Sequence, residues 1–212
     1  MVQATLKVGV EDLNLSISTG YEMSRKLLDK VDTIIVSELQ KDGRIALSSI
    51  AKKTGISHVA IHKRLEKLIN EGIVNISACL NTERLDAKAA VILVEVVNSK
   101  RLKELIEAFK NCPRTVLLSA LSASNLLTII VGEDFPTLES VIGICSLRVQ
   151  KGVRRSEVYI GDLPTYPKFL PMRITAERKA CAPCGARCSA CENFKNKQCL
   201  GCPATKSYIG PL

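Results

Sequence analysis

Residues 28–74 read LDKVDTIIVSELQKDGRIALSSIAKKTGISHVAIHKRLEKLINEGIV, and their apolar positions carry three successive helical patterns. Leu28, Val31, Ile35 and Leu39 recur at helical spacing until Lys41-Asp42-Gly43 breaks the pattern. A short second helix is expected around Leu47, Ile50 and Ala51. Gly55 closes it, because glycine can take the left-handed backbone that a tight exit requires. Ser57 then offers an N-cap oxygen, and Ile61, Leu65, Leu68 and Ile69 form the apolar stripe of a third helix running to Gly72. Two helices across a glycine turn, with the longer amphipathic one second, make a helix-turn-helix. The polar face of that second helix carries His58, His62, Lys63, Arg64 and Lys67. These are donors and cations suited to phosphate oxygens and to acceptors on purine edges. The competing reading is an ordinary solvated face. A metal pair at His58 and His62 is disfavoured, because no carboxylate between them makes a zinc-protease motif.

Beyond Asn75-Ile76-Ser77 the period shortens. Ala90 to Val97 is a branched apolar run suited to a strand, and a helix with Leu102, Leu105, Ile106 and Phe109 on one face follows it. After Pro113, Thr115 to Leu121 and Leu126 to Val131 read as two strands joined across the polar turn SASN. Pro136 suits the first turn of another helix, and Val153 to Ile160 closes the series as a strand. The order βαββαβ gives an antiparallel sheet with two helices on one face. The other face then calls for cover, commonly by a second subunit, so a homodimer is expected.

The 28–74 segment resembles the helix-turn-helix of the Lrp/AsnC family of transcriptional regulators. The similarity continues through LNTERLDAKAAVILVEV (80–96) and the βαββαβ region, over about residues 26 to 165, and the archaeal members are the most similar. The resemblance implies an N-terminal domain that binds operator DNA. It implies a βαββαβ domain that dimerises, often assembles further, and holds small effectors, frequently amino acids, between subunits. It places Ser57, His58, Val59, His62, Lys63 and Arg64 at the recognition positions, with Lys63 and Arg64 foremost because basic side chains recur there. Where the family usually has glycine and aspartate in the turn between the second and third strands, this chain has Ser122 and Asn125, with Ser124 between them. These three are the candidate effector residues, yet the turn lacks the carboxylate that would hold an ammonium group. It also reads simply as a hairpin turn.

LPTYPKFLP (163–171) contains three prolines, which stiffen a chain and exclude a central strand, so it reads as a linker. After it, six of the nine cysteines crowd into residues 181–202. They are Cys181, Cys184, Cys188, Cys191, Cys199 and Cys202, spaced C-x2-C-x3-C-x2-C-x7-C-x2-C. Two cysteines three apart can turn both sulfurs toward one ion, and four thiolates suit tetrahedral zinc or an iron–sulfur cluster. Zinc is the first expectation, because Cys188, Cys191, Cys199 and Cys202 resemble a zinc ribbon or knuckle. A four-iron cluster is the alternative, since Cys181 and Cys184 exceed one tetrahedral site. Disulfides also compete but are disfavoured in reducing cytosol. About 30 residues build too small a core, so metal is expected to supply much of this module's folding free energy. Cys79, Cys112 and Cys145 stand singly and read as small buried hydrophobes.

The whole chain therefore reads as an α+β protein. Its expected parts are an N-terminal extension (1–25), a helix-turn-helix domain (26–77), a connecting segment (78–85), a ferredoxin-like βαββαβ dimerisation and effector domain (86–165), a linker (166–178) and a cysteine-rich metal module (179–212). Its 46% hydrophobic content is ample for packed cores over 212 residues, and no run approaches the length needed to span a bilayer. The first residues do not read as a secretory signal, so a cytoplasmic, non-membrane protein is expected. A net charge of +9 favours a polyanionic partner such as double-stranded DNA, although a basic balance also aids solubility. The reading is a non-enzymatic DNA-binding transcriptional regulator, homodimeric or larger, with a small-molecule effector site and a tail that could answer metal or redox state. Two alternatives stand beside it: a metal or redox sensor with weak DNA binding, and a sirohaem-decarboxylase-like enzyme on the same fold. The enzyme would need histidine and arginine near a tetrapyrrole in the βαββαβ domain. Both histidines of this chain lie in the helix-turn-helix instead.

Overall fold

Helix α1 (Lys30–Lys41) opens the computed structural model, which describes residues 28–162 and 166–211; the expected extension over 1–25 lies outside the described residues. Asp29 caps α1 by accepting from the Val31 and Asp32 amides at 2.8 Å each, and Asp32 reaches back to the Asp29 amide, completing a capping box. Helices α2 (Leu47–Thr54) and α3 (His58–Asn70) follow. Between them Gly55 sits at φ 73°, in the left-handed region where a side chain would be strained. Ile35, Ile50 and Ile61, one from each helix, are fully buried together, with Leu65 beside them. Ile69, expected on the apolar stripe, is instead 42% exposed. It stands one residue past Leu68, where the stripe turns away from the packed face.

The chain divides after Ser77 into two units. The second is built on a four-stranded antiparallel sheet of β2 (Lys88–Val96), β3 (Thr115–Ala120), β4 (Asn125–Gly132) and β5 (Val153–Asp162), in the order β3-β4-β2-β5. Helices α5 (Ser99–Phe109) and α6 (Phe135–Ser140) supply the expected crossovers, capped by the side chains of Asn98 and Asp134. The last turns before β5 run on as a π-turn (Val141–Cys145) and a 3₁₀ turn (Leu147–Val149). Alternate β2 residues Ala90, Ile92, Val94 and Val96 join Leu126 and Ile130 of β4, Leu102, Leu105 and Phe109 of α5, and Leu138 of α6 in one core. The opposite face carries Val91, Leu93, Leu127 and Ile129, all half-buried, with Leu117 and Tyr159 exposed beside them.

The expected linker and the expected independent tail are not separate bodies. Phe169–Leu170 forms a short strand, β6, paired antiparallel with β1 (Leu80–Asn81), which leads into the single turn α4 (Thr82–Leu85). Leu170 and Met172 are buried against Ala89 and Val131, with Leu80, Leu85 and Val116 packed around them. The proline argument excludes a central strand. It does not exclude a two-residue edge pairing at a position with a free amide. One end of the sheet's outer face is thus covered from within the chain.

The cysteine tail contributes a 3₁₀ turn (Cys188–Ala190) and the short helix α7 (Glu192–Lys195). It shares the second unit with the sheet rather than forming a module of its own. Burial of Leu170 generates a direct test. Leu170→Ala should lower stability by about 2–3 kcal/mol in urea unfolding followed by far-UV circular dichroism. Phe169→Ala, at a side chain 57% exposed, should change it by less than about 0.5 kcal/mol.

Candidate functional site

Helix α3 presents one row outward and turns another inward. His58, Val59, His62, Lys63 and Lys67 are exposed, and Val59 is 61% accessible. Ser57 is spent on the cap: its Oγ accepts from the Ala60 amide at 3.2 Å. His62 Nδ1 lies 3.3 Å from a Glu66 carboxylate oxygen, and Lys67 lies 3.9 Å from Glu71; both are loose exposed pairs one turn apart. Lys63 has no ion pair among the described residues. Lys52, in the last turn of α2, is a further exposed cation that sequence periodicity did not single out.

Arg64 does not belong to this outward row. Its Nη1 donates to Asp29 at 2.6 Å and to Asp32 at 2.8 Å, tying α3 to the first turn of α1. A residue one position past Lys63 is rotated about 100° around the helix, and that rotation carries Arg64 onto the flank facing α1. Arg64, expected as a leading DNA contact, thus has its Nη1 engaged by two carboxylates of the same domain, with its side chain still 37% accessible. Hydrogen bonds from the Asp32 amide and from Arg64 hold the Asp29 carboxyl below its ordinary pKa. Hydrogen bonds from Lys53 and Lys41 do the same for Glu38, which links α1 to α2.

The candidate effector turn closes on itself. Ser122 Oγ accepts from the amides of Ser124 (3.3 Å) and Asn125 (3.1 Å) and from the Asn125 side chain (2.9 Å). Ser122 and Asn125 are exposed and Ser124 is half-buried. At this β3–β4 turn, where the resemblance places an effector site, the Ser122 and Asn125 side chains bond each other and Ser124 contributes its amide.

The six tail cysteines were expected to converge on one or more ions. All nine cysteines are free thiols, and among the described residues no three His, Cys, Asp or Glu side chains come close enough to hold one metal ion. Four thiolates about 2.3 Å from a zinc ion would stand only about 3.8 Å apart, so the arrangement does not fit the single-zinc expectation. Five of the six, Cys184, Cys188, Cys191, Cys199 and Cys202, instead line one cavity of about 510 Å³. Cys181 is not in its wall. Cys112 and Cys145 are, and both also pack against the main core as small hydrophobes; Cys79, expected to be buried with them, is exposed. Linear spacing gave no signal for Cys112 and Cys145, because only the fold brings these two elements against the tail.

Polar contacts fix this junction. Arg114 is 3% exposed. It donates to Glu133 at 2.6 Å and to the Val131 carbonyl at 3.2 Å, and its Nη2 donates to the Gly201 carbonyl at 2.6 Å. Tyr208 Oη donates to the other Glu133 oxygen at 2.6 Å. The Leu200 amide donates to Thr137 Oγ1, and Asn193 donates to Ser140 Oγ. Burial opposes the Arg114 charge, but the neighbouring Glu133 carboxylate outweighs it and raises the guanidinium's pKa. Burial pushes the Cys145 and Cys184 thiols upward and the Cys202 thiol up to about 12. Gly201 lies at φ 86°, and a Cβ there would sit 3.1 Å from the Ser207 carbonyl and 3.3 Å from the Phe194 ring, so the turn between Cys199 and Cys202 requires glycine.

Residues 28–69 match the AsnC-type helix-turn-helix domain. Over 93 residues the chain is 30% identical to the HTH-type transcriptional regulator FL11 of Pyrococcus furiosus, covering 43% of this chain and 62% of that protein. It is 33% identical over 91 residues to the leucine-responsive regulatory protein of Serratia marcescens (42% and 55%), and 34% identical over 85 residues to that of Escherichia coli (40% and 51%). The chain thus spans little more than half the length of these relatives. Solved structures with the same fold include E. coli AsnC (TM-score 0.55, 18% identity, covering 65% of this chain and 94% of that one). Another is the leucine response regulatory protein of Mycobacterium tuberculosis (TM-score 0.58, 22% identity, covering 66% and 97%). A helix-turn-helix followed by a ferredoxin-like α+β domain is the fold of those structures and of this chain. Among the described residues no helix is long and apolar enough to cross a membrane.

The Arg64 bridge predicts a pH dependence. Asp29 is depressed in the folded state, so its contribution is fully present above the unfolded carboxyl pKa of about 4 and is lost as pH falls through the lower folded value. Thermal melts of the wild-type chain should therefore drop as pH falls below about 4. Arg64→Ala should melt lower at pH 7 and lose less over that acid window. Lys63→Ala should melt like the wild type at both ends.

Proposed function

We propose that this protein is a DNA-binding transcriptional regulator of the Lrp/AsnC type, acting as a homodimer or larger assembly in the cytoplasm rather than as an enzyme. The observation that carries the reading is the exposed row of α3: His58, Val59, His62, Lys63 and Lys67 stand out from a helix that Ile61 and Leu65 lock into the three-helix core. The match of residues 28–69 supports it. In this reading α3 enters the major groove, Lys63 and Lys67 meet phosphates, and the imidazoles and Val59 approach base edges. Two copies related by a twofold axis would reach grooves about 34 Å apart. The half-buried outer sheet face around Val91, Leu93, Leu127 and Ile129 is the surface a second subunit would cover.

Effector binding at Ser122, Ser124 and Asn125 belongs to the proposal too. The ligand would be one that does not need a carboxylate partner, because the turn offers hydroxyls and an amide only. A response to metal or redox state would enter through the cysteine tail. The sirohaem-decarboxylase alternative gains nothing from the second unit, where no histidine occurs.

Binding to genomic fragments, titrated across salt by gel shift or anisotropy, tests the reading. The wild-type chain should lose affinity steeply as salt rises. Lys63→Ala should weaken binding and flatten the log–log slope by about 0.9, the release expected for one phosphate contact. Absence of binding by folded wild-type chain in dilute salt would overturn the proposal.

A further inference from the structure

The cavity against the cysteine tail is larger and better lined than a structural zinc site requires. Its volume of about 510 Å³ far exceeds one ion, given that a water molecule takes about 30 Å³ of liquid. Seven cysteines, five from the tail together with Cys112 and Cys145, line that space, and among the described residues no three His, Cys, Asp or Glu side chains gather closely enough for one ion. A polynuclear cluster asks for that disposition, because each thiolate binds a different iron at the cluster's edge. A mononuclear zinc asks for the opposite, four sulfurs gathered within one coordination sphere.

Two further features of the wall suit an anionic, thiolate-bound occupant. Arg114, a wall residue 3% exposed, keeps its Nε buried without a hydrogen-bond partner among the described residues. An unpartnered buried donor costs about 1–3 kcal/mol unless something accepts from it. Backbone amides are also aimed at sulfur: Gly201 N–H donates to Cys199 Sγ at 3.4 Å and Cys202 N–H to Cys188 Sγ at 3.2 Å. Hydrogen bonds of this kind stabilise thiolate ligands and tune clusters.

We propose that this cavity binds a polynuclear iron–sulfur cluster, ligated by thiolates of the tail together with Cys112 and Cys145 of the βαββαβ body. The site would then be shared between the two, not carried by the tail alone. On loading, each ligating thiol gives its proton to solvent and a sulfur lone pair to iron, with no change of oxidation state in the protein. The inference is independent of the DNA-binding reading, since Lys63 lies in the other unit.

The test is elemental and spectroscopic analysis of the full chain purified anaerobically and reconstituted with ferrous iron and sulfide. Wild-type protein should carry iron and acid-labile sulfide in near-equal amounts, with broad visible absorption bleached by dithionite. Cys188→Ser should lose most of this. Cys112→Ala and Cys145→Ala, singly and together, are small-for-small changes; iron per chain is read only on the fraction that elutes folded with native far-UV circular dichroism. The double variant should lose at least half its iron or shift its visible and EPR spectra. Cys181→Ser and Lys63→Ala should retain both. Colourless wild-type protein with stoichiometric zinc would overturn the proposal. Unchanged iron content and spectra in the folded Cys112→Ala/Cys145→Ala variant would remove the βαββαβ body from the site.

Discussion

The buried ion pair of Arg114 and Glu133 decides how the second unit is assembled. Both side chains are about 4% exposed, so each must find partners inside the protein, and beyond each other and the Val131 carbonyl those partners belong to the tail. Arg114 reaches the Gly201 carbonyl, and Glu133 accepts from Tyr208. Removing one member of such a pair leaves an uncompensated buried charge, which typically costs about 3–5 kcal/mol. The pair therefore imposes one seating on residues 199–208 relative to the start of β3 and the end of β4. Thr205, wholly buried, and Ala204 and Tyr208, nearly so, follow from that seating.

This arrangement revises what the metal is asked to do. A segment of some 30 residues on its own would depend on metal for its fold. Here the tail buries side chains against an existing core, shares hydrogen bonds with Thr137 and Ser140, and sends Cys184 into the same cluster as Cys112 and Cys145. Metal, where bound, would tighten a junction already specified by protein contacts.

In the first unit an analogous economy governs the cations. Asp29 caps α1 and also receives Arg64, so one carboxylate satisfies helix amides and fixes the angle between α1 and α3. The basic residues of α3 divide accordingly. Arg64 pairs with Asp29 and Asp32, while Lys63 and Lys67 remain on the outward face.

Much of the fold was legible because its signals are local. Three helices, the Gly55 turn, the Ser57 cap and the βαββαβ order all follow from periodicity and punctuation within short windows. The exposed α3 row was legible for the same reason. What escaped the sequence depends on tertiary partners: Arg64 differs from Lys63 only through Asp29 and Asp32, more than 30 positions away, and Leu170 becomes a strand residue only because Leu80 lies opposite it. Cys112 and Cys145 join the tail thiols through a cavity that no spacing rule describes. The most direct measurement of whether tail and sheet are one body is hydrogen–deuterium exchange on Glu133→Gln. If the Arg114–Glu133 pair binds them, protection should fall together at residues 199–208 and at the paired ends of β3 and β4; loss confined to the tail, with the sheet ends unchanged, would contradict the account.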